Sequence, residues 1–178
     1  AEAGHEIAKE QIALLYETGY ADAIEESAIP ALSVDDQEDA TVITGDDFEL
    51  SFNKKDGCIS SFTYQDVELL ENGPTPNFWR APTDSDLGYY SANTLSDWRY
   101  AGVDRKVKEV TVDTEAENKV VITVNATLPT SKKSEWQQVY TVYGTGDVKI
   151  ASTLTPGSAD LPMIPEIGNL LVLPKEFH

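Results

Sequence analysis

Strict alternation of apolar and polar side chains runs through the second half of this chain. Every second position of residues 120–126 is apolar, namely Val120, Ile122, Val124 and Ala126. A period of two is the spacing of a β-strand that buries one face. The pattern recurs in residues 107–112, 139–143 and 148–152, with turn residues between the runs. Strands repeated at roughly ten-residue spacing predict an all-β fold, an antiparallel β-sandwich.

The middle of the chain extends this prediction. Phe48, Leu50 and Phe52 alternate with polar residues, and residues 54–57 form a turn signal before the next alternating run, residues 59–64. This arrangement predicts a β-hairpin. One short helix is expected near residues 94–101, where Gly102 would close it.

Composition narrows the possible partners. The chain has 178 residues and a formal net charge of −18. That charge argues against nucleic acid and anionic membranes as partners and favours a neutral or cationic ligand. Twelve of the 31 acidic residues fall between Lys9 and Lys54, a stretch without Lys or Arg. We interpret this stretch as a solvated acidic surface.

Cysteine and histidine are too scarce for several kinds of site. Cys58 is the single cysteine, so neither an internal disulfide nor a thiolate zinc site can form. Its place at the start of a predicted strand favours a buried, inert thiol. His5 and His178 are the two histidines, at opposite ends of the chain, which argues against a Ser-His-Asp or Cys-His catalytic apparatus.

Residues 73–88 are the most informative stretch for function. Three prolines and two glycines in sixteen residues argue against a regular helix or a central strand. Disordered linkers are poor in aromatics, so an ordered loop is expected. Its side chains either line a sugar site or pack in a core, with Arg80 bridging Asp84 or Asp86.

The order of these residues carries a resemblance. Residues 77–88 resemble the signature near the start of the last domain of large bacterial β-galactosidases, members of glycoside hydrolase family two. Residues 3–11 are similar to the end of the preceding immunoglobulin-like domain of those enzymes. Residues 161–168 and 173–177 are similar to the middle of the last domain. The resemblance therefore covers nearly the whole chain.

The resemblance implies a domain plan and a role. Residues 1–30 would be the tail of the immunoglobulin-like domain, and residues 31–40 an acidic linker. Residues 41–178 would form the first half of a C-terminal, galactose-mutarotase-like β-supersandwich. The parent would hydrolyse terminal β-D-galactosides with retention, using glutamates of a (β/α)₈ barrel outside this chain. This chain would then be inactive alone, with no catalytic residue, and would pack on the barrel.

The family also implies a position for a mobile segment. In relatives, the residues after the Arg-Ala-Pro motif lie at the mouth of the barrel, either as a lid or as a rigid domain contact. The matching positions here are Gly88, Tyr89, Tyr90 and Ser91. The rest of the motif is expected to be structural or close to the sugar, and comprises Phe78, Trp79, Arg80, Asp84 and Asp86.

Cofactors and assembly follow from the same resemblance. No cofactor or metal is expected in this chain, although parents in the family often use Mg²⁺ and Na⁺ elsewhere. The resemblance implies a bacterial parent of the cytoplasm or periplasm, for which a homo-oligomer is the expected assembly. Two departures from the family stand out. Glu166 occupies a position that is often basic, and Asn169 one that is usually apolar.

Three other functions fit parts of the sequence. A stand-alone carbohydrate-binding module would use an aromatic platform of Trp79, Tyr89, Tyr90 and Trp98. A structural β domain would mediate assembly through a bare sheet edge. Catalysis by Asp84 and Asp86 would require these carboxylates on one side of an extended chain. A calcium-binding loop that begins at Asp84 is a weaker hypothesis. The closing glutamate of such a loop is missing, since Leu95 stands at its position.

Overall fold

The computed structural model describes residues 26–89 and 92–177. Strands dominate this part of the chain, with two short α-helices and 3-10 turns at Glu26–Ala28 and Lys175–Phe177. In chain order the strands and helices are β1 Ser33–Asp36, β2 Ala40–Thr44, β3 Phe48–Asn53, β4 Cys58–Tyr64, β5 Val67–Glu68, β6 Asn72–Asn77, α1 Asp84–Tyr89, α2 Ala92–Arg99, β7 Lys106–Asp113, β8 Lys119–Leu128, β9 Ser134–Tyr143, β10 Val148–Thr155 and β11 Gly168–Val172.

The strands form three antiparallel sheets. The first sheet has the order β1-β2-β3-β4-β5, the second β10-β9-β8-β7, and the third pairs β11 with β6. The predicted all-β antiparallel sandwich is confirmed. The predicted hairpin is confirmed as well, because β3 pairs with β4 across a turn in which Gly57 has a φ of +62°. A left-handed backbone of this kind favours glycine.

The main core lies between the first and second sheets. Alternate residues of β8 are buried, as the period of two predicts. The buried members of this core are Ile43, Phe48, Leu50, Phe52, Ile59, Val120, Ile122, Val124, Tyr140 and Val142. Because five come from each sheet, neither sheet buries its apolar face without the other.

Tyr140 connects this core to the third sheet. Its ring is fully buried and meets Phe52 edge to face at 5.1 Å between centroids. Its hydroxyl approaches the carbonyl oxygens of Gly57 and Pro74 at 3.4 and 3.3 Å. Burial raises the pKa of this phenol well above its ordinary value. Tyr140 therefore stays a neutral donor that ties β9 to β6.

A second, smaller core lies under α2. Its buried residues are Phe78, Trp98, Ala101, Leu128 and Trp136. Phe78 stands edge to face with Trp136 at 5.1 Å and meets Trp98 at 5.8 Å between ring centroids. Phe78, which lies between Pro76 and Pro82 in the sequence, thus anchors the proline-rich stretch in this core.

Part of the predicted linker is ordered strand. Residues 33–36 lie inside the stretch 31–40, yet they form β1 and pair with β2. Asp36 is held there by one hydrogen bond from Thr41 Oγ1 at 2.6 Å and by an ion pair with Lys54 Nζ at 2.9 Å. Partial burial raises the pKa of Asp36, but the bonds from Lys54 and Thr41 outweigh it, so the pKa is lowered overall. The domain boundaries themselves stay a prediction.

The predicted helix and the predicted N-terminal tail can be compared with the described residues. The predicted helix near 94–101 is α2, which begins and ends two residues earlier, and α1 was not predicted. Residues 1–25 of the predicted immunoglobulin-like tail lie outside the described residues. Cys58 is buried, as the sequence predicts. It is 8% exposed at the first position of β4, and burial raises the pKa of its thiol, as expected for an inert thiol. None of the described helices is long and apolar enough to cross a membrane.

The core predicts a clear stability contrast. Ile122→Ala should lower the free energy of unfolding by about 2–5 kcal/mol, since the fully buried side chain leaves a cavity. Thr111→Ala, on an exposed position of β7, should change it by less than about 0.5 kcal/mol. Urea unfolding followed by tryptophan fluorescence measures both. Equal effects of the two substitutions would contradict the position of the core.

Candidate functional site

The stretch of residues 73–88, which we call the proline-rich motif, begins as an edge strand. Pro74 and Pro76 lie in β6, whose strand partner in the described structure is β11. Proline is tolerated there because it removes an amide donor that a two-sided strand would need. Gly73 is required by close packing, since a Cβ at this position would lie 1.8 Å from the carbonyl oxygen of Ile59 in β4. The motif is therefore fitted closely against the first sheet.

The second half of the motif is a capped helix. Thr83 Oγ1 accepts a hydrogen bond from the amide of Asp86 at 3.4 Å. In return, the Asp86 carboxylate accepts bonds from the Thr83 amide at 2.7 Å and its hydroxyl at 2.9 Å. This is a capping box with aspartate in place of glutamate. The prediction of a loop throughout residues 73–88 is therefore wrong for α1, and also for residues 73–77, which belong to β6. The Thr-x-x-Asp spacing was the available signal.

Arg80 is the centre of the motif. It binds Asp86 through two nitrogens, at 2.6 and 3.2 Å. Its Nε donates to the Pro165 carbonyl at 3.0 Å, and one terminal nitrogen donates to the Ala81 carbonyl at 3.2 Å. Arg80 and then Thr83 hold the pKa of Asp86 well below its usual range. Of the two carboxylates proposed to bridge Arg80, Asp86 makes the bidentate pair.

Asp84 occupies a different environment. It is exposed at the first position of α1. Residues two apart on a helix do not face each other, so the extended spacing that would bring Asp84 and Asp86 together is not present. The geometry required for catalysis by this pair is absent from the structure.

The aromatic residues of the motif divide between core and surface. Phe78 is 1% exposed in the second core, whereas Trp79 is half-buried. The guanidinium of Arg99 lies 5.6 Å from the Trp79 ring and 5.3 Å from the Tyr100 ring, within cation–π range. Trp98 is 1% exposed, so it is excluded from the aromatic platform that a binding module would use.

The motif contacts a segment far along the chain. Trp98 Nε1 donates to the Pro162 carbonyl at 2.8 Å, while Arg80 reaches the Pro165 carbonyl. Leu161 and Ile164 pack on the second core. Residues 77–88 and 161–168, the two stretches that carry most of the family resemblance, therefore lie against each other.

The predicted lid falls at the limit of the described residues. Gly88 and Tyr89 end α1, while Tyr90 and Ser91 lie outside the described part of the chain. The role of these four residues stays a prediction. Across residues 26–89 and 92–177, no group of three or more His, Cys, Asp or Glu side chains is arranged to hold a metal ion.

Comparison with known protein families identifies the family to which this chain belongs. Residues 44–178 match the sequence model of the family described as beta galactosidase small chain. This chain belongs to the β-galactosidase small-chain family. The matched range takes in the motif, the second core, every buried residue of the main core except Ile43, and all strands after β2. The resemblance to β-galactosidases is thereby confirmed.

Individual relatives are larger than this chain. It is 39% identical over 177 residues to a β-galactosidase of Priestia megaterium, covering 99% of this chain and 17% of that protein. A β-galactosidase of Halalkalibacterium halodurans is 32% identical over 180 residues, 100% of this chain and 17% of the relative. A β-galactosidase small subunit of Latilactobacillus sakei is 26% identical over 151 residues, 74% of this chain and 47% of that subunit. The chain thus spans less than a fifth of the first two relatives.

The Arg80–Asp86 contact predicts a pH-dependent contribution to stability. Because the pKa of Asp86 is lowered on folding, its contribution is complete above the unfolded value of about 3.9 and is lost as pH falls through the folded value. Asp86→Asn should therefore destabilise the chain at pH 7, and the difference from the unsubstituted chain should shrink progressively below about pH 4. Thermal unfolding across this pH range measures it.

Asp84→Asn is the matched control. It removes a carboxylate from the same helix turn without touching Arg80, so its melting temperature should follow that of the unsubstituted chain at each pH. A loss from Asp84→Asn equal to that from Asp86→Asn would contradict the assigned pairing.

Proposed function

We propose that this chain is a non-catalytic, C-terminal-region part of a β-galactosidase of glycoside hydrolase family two. The parent hydrolyses terminal β-D-galactosides with retention, through glutamates of a barrel that lies outside this chain. The chain packs on that barrel and helps to shape the sugar site. The match of residues 44–178 to the β-galactosidase small chain carries this proposal.

The chemistry of the motif supports a structural role. A general acid needs a pKa near the working pH. Asp86 has its pKa held low by Arg80, and both its oxygens accept hydrogen bonds from the motif itself. Arg80 in turn is occupied by Asp86 and two backbone carbonyls. These groups position the chain and leave substrate chemistry to the parent.

The domain plan belongs to the same proposal. Residues 1–30 end an immunoglobulin-like domain, residues 31–40 follow as an acidic connection, and residues 41–178 begin a galactose-mutarotase-like β-supersandwich. Apolar exposure near the end of the described chain supports an incomplete domain. Ile167, Leu170 and Leu171 are 59, 59 and 47% exposed, on or beside β11. An apolar strand of this kind is normally covered.

The lid assignment completes the proposal. Gly88, Tyr89, Tyr90 and Ser91 follow a helix start that is fixed by the capping box and by Arg80. Trp98 fixes α2 on the second core. A segment whose two flanks are held, with glycine at one end, is suited to a local movement over the barrel mouth. Galactoside enters this account as the parent's substrate, and Mg²⁺ and Na⁺ as ions of the parent outside this chain.

Activity measurements on a chimera test the proposal. This chain replaces the matching 17% of the Priestia megaterium β-galactosidase. We expect the chimera to hydrolyse a chromogenic β-galactoside, and the isolated chain, with or without Asp84→Asn, to give no turnover. Turnover by the isolated chain that Asp84→Asn abolishes would overturn the proposal. A soluble, folded chimera without activity would overturn it as well.

The same chimera tests the lid. Tyr90→Ala should change KM and kcat for the galactoside without lowering the melting temperature, because a lid acts on bound substrate. Tyr64→Ala, at an exposed tyrosine of β4, is the control and should leave both constants unchanged. If Tyr90→Ala lowers only the melting temperature, the segment is a rigid domain contact.

A second candidate function is assembly through a sheet edge. Within the described residues, β11 pairs with β6 alone, so its other edge is available to a strand of another chain. Light scattering after gel filtration of the isolated chain tests this. A dimer that Leu171→Lys converts to a monomer supports edge pairing, whereas a concentration-independent monomer rules it out. The third candidate, a stand-alone carbohydrate-binding module, loses one of its four platform aromatics, because Trp98 is buried.

A further inference from the structure

A lysine-lined hollow lies on the outer face of the second sheet. Its volume is about 370 Å³, and it sits where β7 begins and the β8–β9 turn closes. The lining residues are Lys106, Lys108, Thr127, Pro129, Lys133 and Glu135. Three lysines and one glutamate therefore line this hollow, on a chain whose net charge is −18. We refer to these six residues as the lysine hollow.

Cross-strand pairing brings part of the hollow together. Lys106 pairs with Thr127, and Thr127 pairs with Glu135, so the three stand in a row across β7, β8 and β9. Ala126 and Leu128 alternate with Thr127 and are buried, which places Thr127 on the outward face. The row is fixed by the register of the sheet.

A β-bulge adds the second lysine. Val107 pairs with Ala126 and Glu109 with Asn125, so Lys108 is the extra residue between them. A bulge leaves an extra residue on one strand, and here Lys108 and Glu109 are both exposed. The ammonium group of Lys108 reaches across β8 to Glu135, at 3.1 and 3.3 Å from its two oxygens.

A left-handed residue adds the third lysine. Lys133 has a φ of +49°, a conformation that is unfavourable for a residue with a Cβ. The turn is held by buried groups beneath it, since Thr130 Oγ1 accepts from the Ser134 amide at 2.9 Å and Ser134 Oγ accepts from the Gly157 amide at 3.2 Å. Two of the three lysines that line the hollow thus lie at irregular positions of the backbone.

The charges of the hollow are not balanced internally. Glu135 pairs with Lys108 and accepts from the Thr127 hydroxyl at 3.4 Å. Within residues 26–89 and 92–177, Lys106 and Lys133 form no ion pair. Two ammonium groups therefore remain for an outside acceptor.

We propose that the lysine hollow binds a small oxyanion, a carboxylate or phosphate group of a soluble ligand. The anion lies between Lys106 and Lys133, where ammonium groups donate to its oxygens. Glu135 orients Lys108 and repels the incoming anion, which limits the affinity. The site is separate from the sugar-site motif and does not depend on the proposed galactosidase role.

Amide chemical shifts of the ¹⁵N-labelled chain test the site. Inorganic phosphate and acetate are titrated separately, with chloride added to hold ionic strength constant. We expect saturable shifts confined to residues near 105–108 and 127–135. Tighter binding of phosphate identifies a phosphoryl ligand, and tighter binding of acetate a carboxylate ligand. Shifts that do not saturate, or that spread over the whole surface, would overturn the proposal.

Substitutions separate the site from general surface charge. Lys106→Gln and Lys133→Gly should each weaken binding about fivefold or more, while Lys149→Gln, at an exposed lysine of β10, leaves it unchanged. Lys133→Gly also relieves the left-handed residue, so its melting temperature should stay level or rise. Equal weakening by Lys149→Gln would contradict a defined site.

Substitution of Glu135 best distinguishes a defined anion site from an effect of net charge. Glu135→Gln should tighten binding about two- to fivefold, because the competing carboxylate is removed. Glu109→Gln removes the same charge from a residue of β7 outside the hollow and should leave the affinity unchanged. Identical effects of the two substitutions would show that the anion responds only to net charge, and would overturn the assignment.

Discussion

Burial of the facing sides of two sheets is the constraint on which the rest of this molecule depends. Each large apolar side chain that leaves water contributes about 1.5–3 kcal/mol, and the main core draws equally on both sheets. Tyr140 then extends that contact to β6, because its hydroxyl has acceptors among the residues of the turn and the third sheet. The proline-rich motif continues from β6, so its position is set by the core rather than by the motif itself.

The motif illustrates how charged residues can serve architecture in an enzyme family. Arg80 joins a helix cap to a carbonyl 85 positions away along the chain, closing a long loop with hydrogen bonds on both sides. Such a bond constrains two distant segments at once. Arg80 therefore holds the start of α1 and residues 161–168 together as one rigid unit.

The sequence predicted the regular parts of the structure better than its interruptions. Alternation in β8 is visible without tertiary information, because one face of the strand is buried. By contrast, Asp35 and Asp36 argue against a strand, and β1 forms because Lys54 and Thr41 satisfy Asp36 from other elements. Proline and glycine concealed α1, although its capping residues were in the sequence. Trp98 resembled a surface aromatic until α2 placed it in the second core. The proposed sugar-site role of the motif involves a barrel outside this chain, so no local pattern in these residues describes it.

Alkylation of the Cys58 thiol offers a measure of how often the β-sandwich opens. The thiol lies at the junction of β4 with the turn that holds Gly57, beside the carbonyl that Tyr140 approaches. Because Cys58 is 8% exposed, a maleimide reagent should reach its thiol faster when the first sheet separates from its neighbours. The rate of alkylation of this single thiol therefore reports opening of the sandwich in the isolated chain, without any label being introduced.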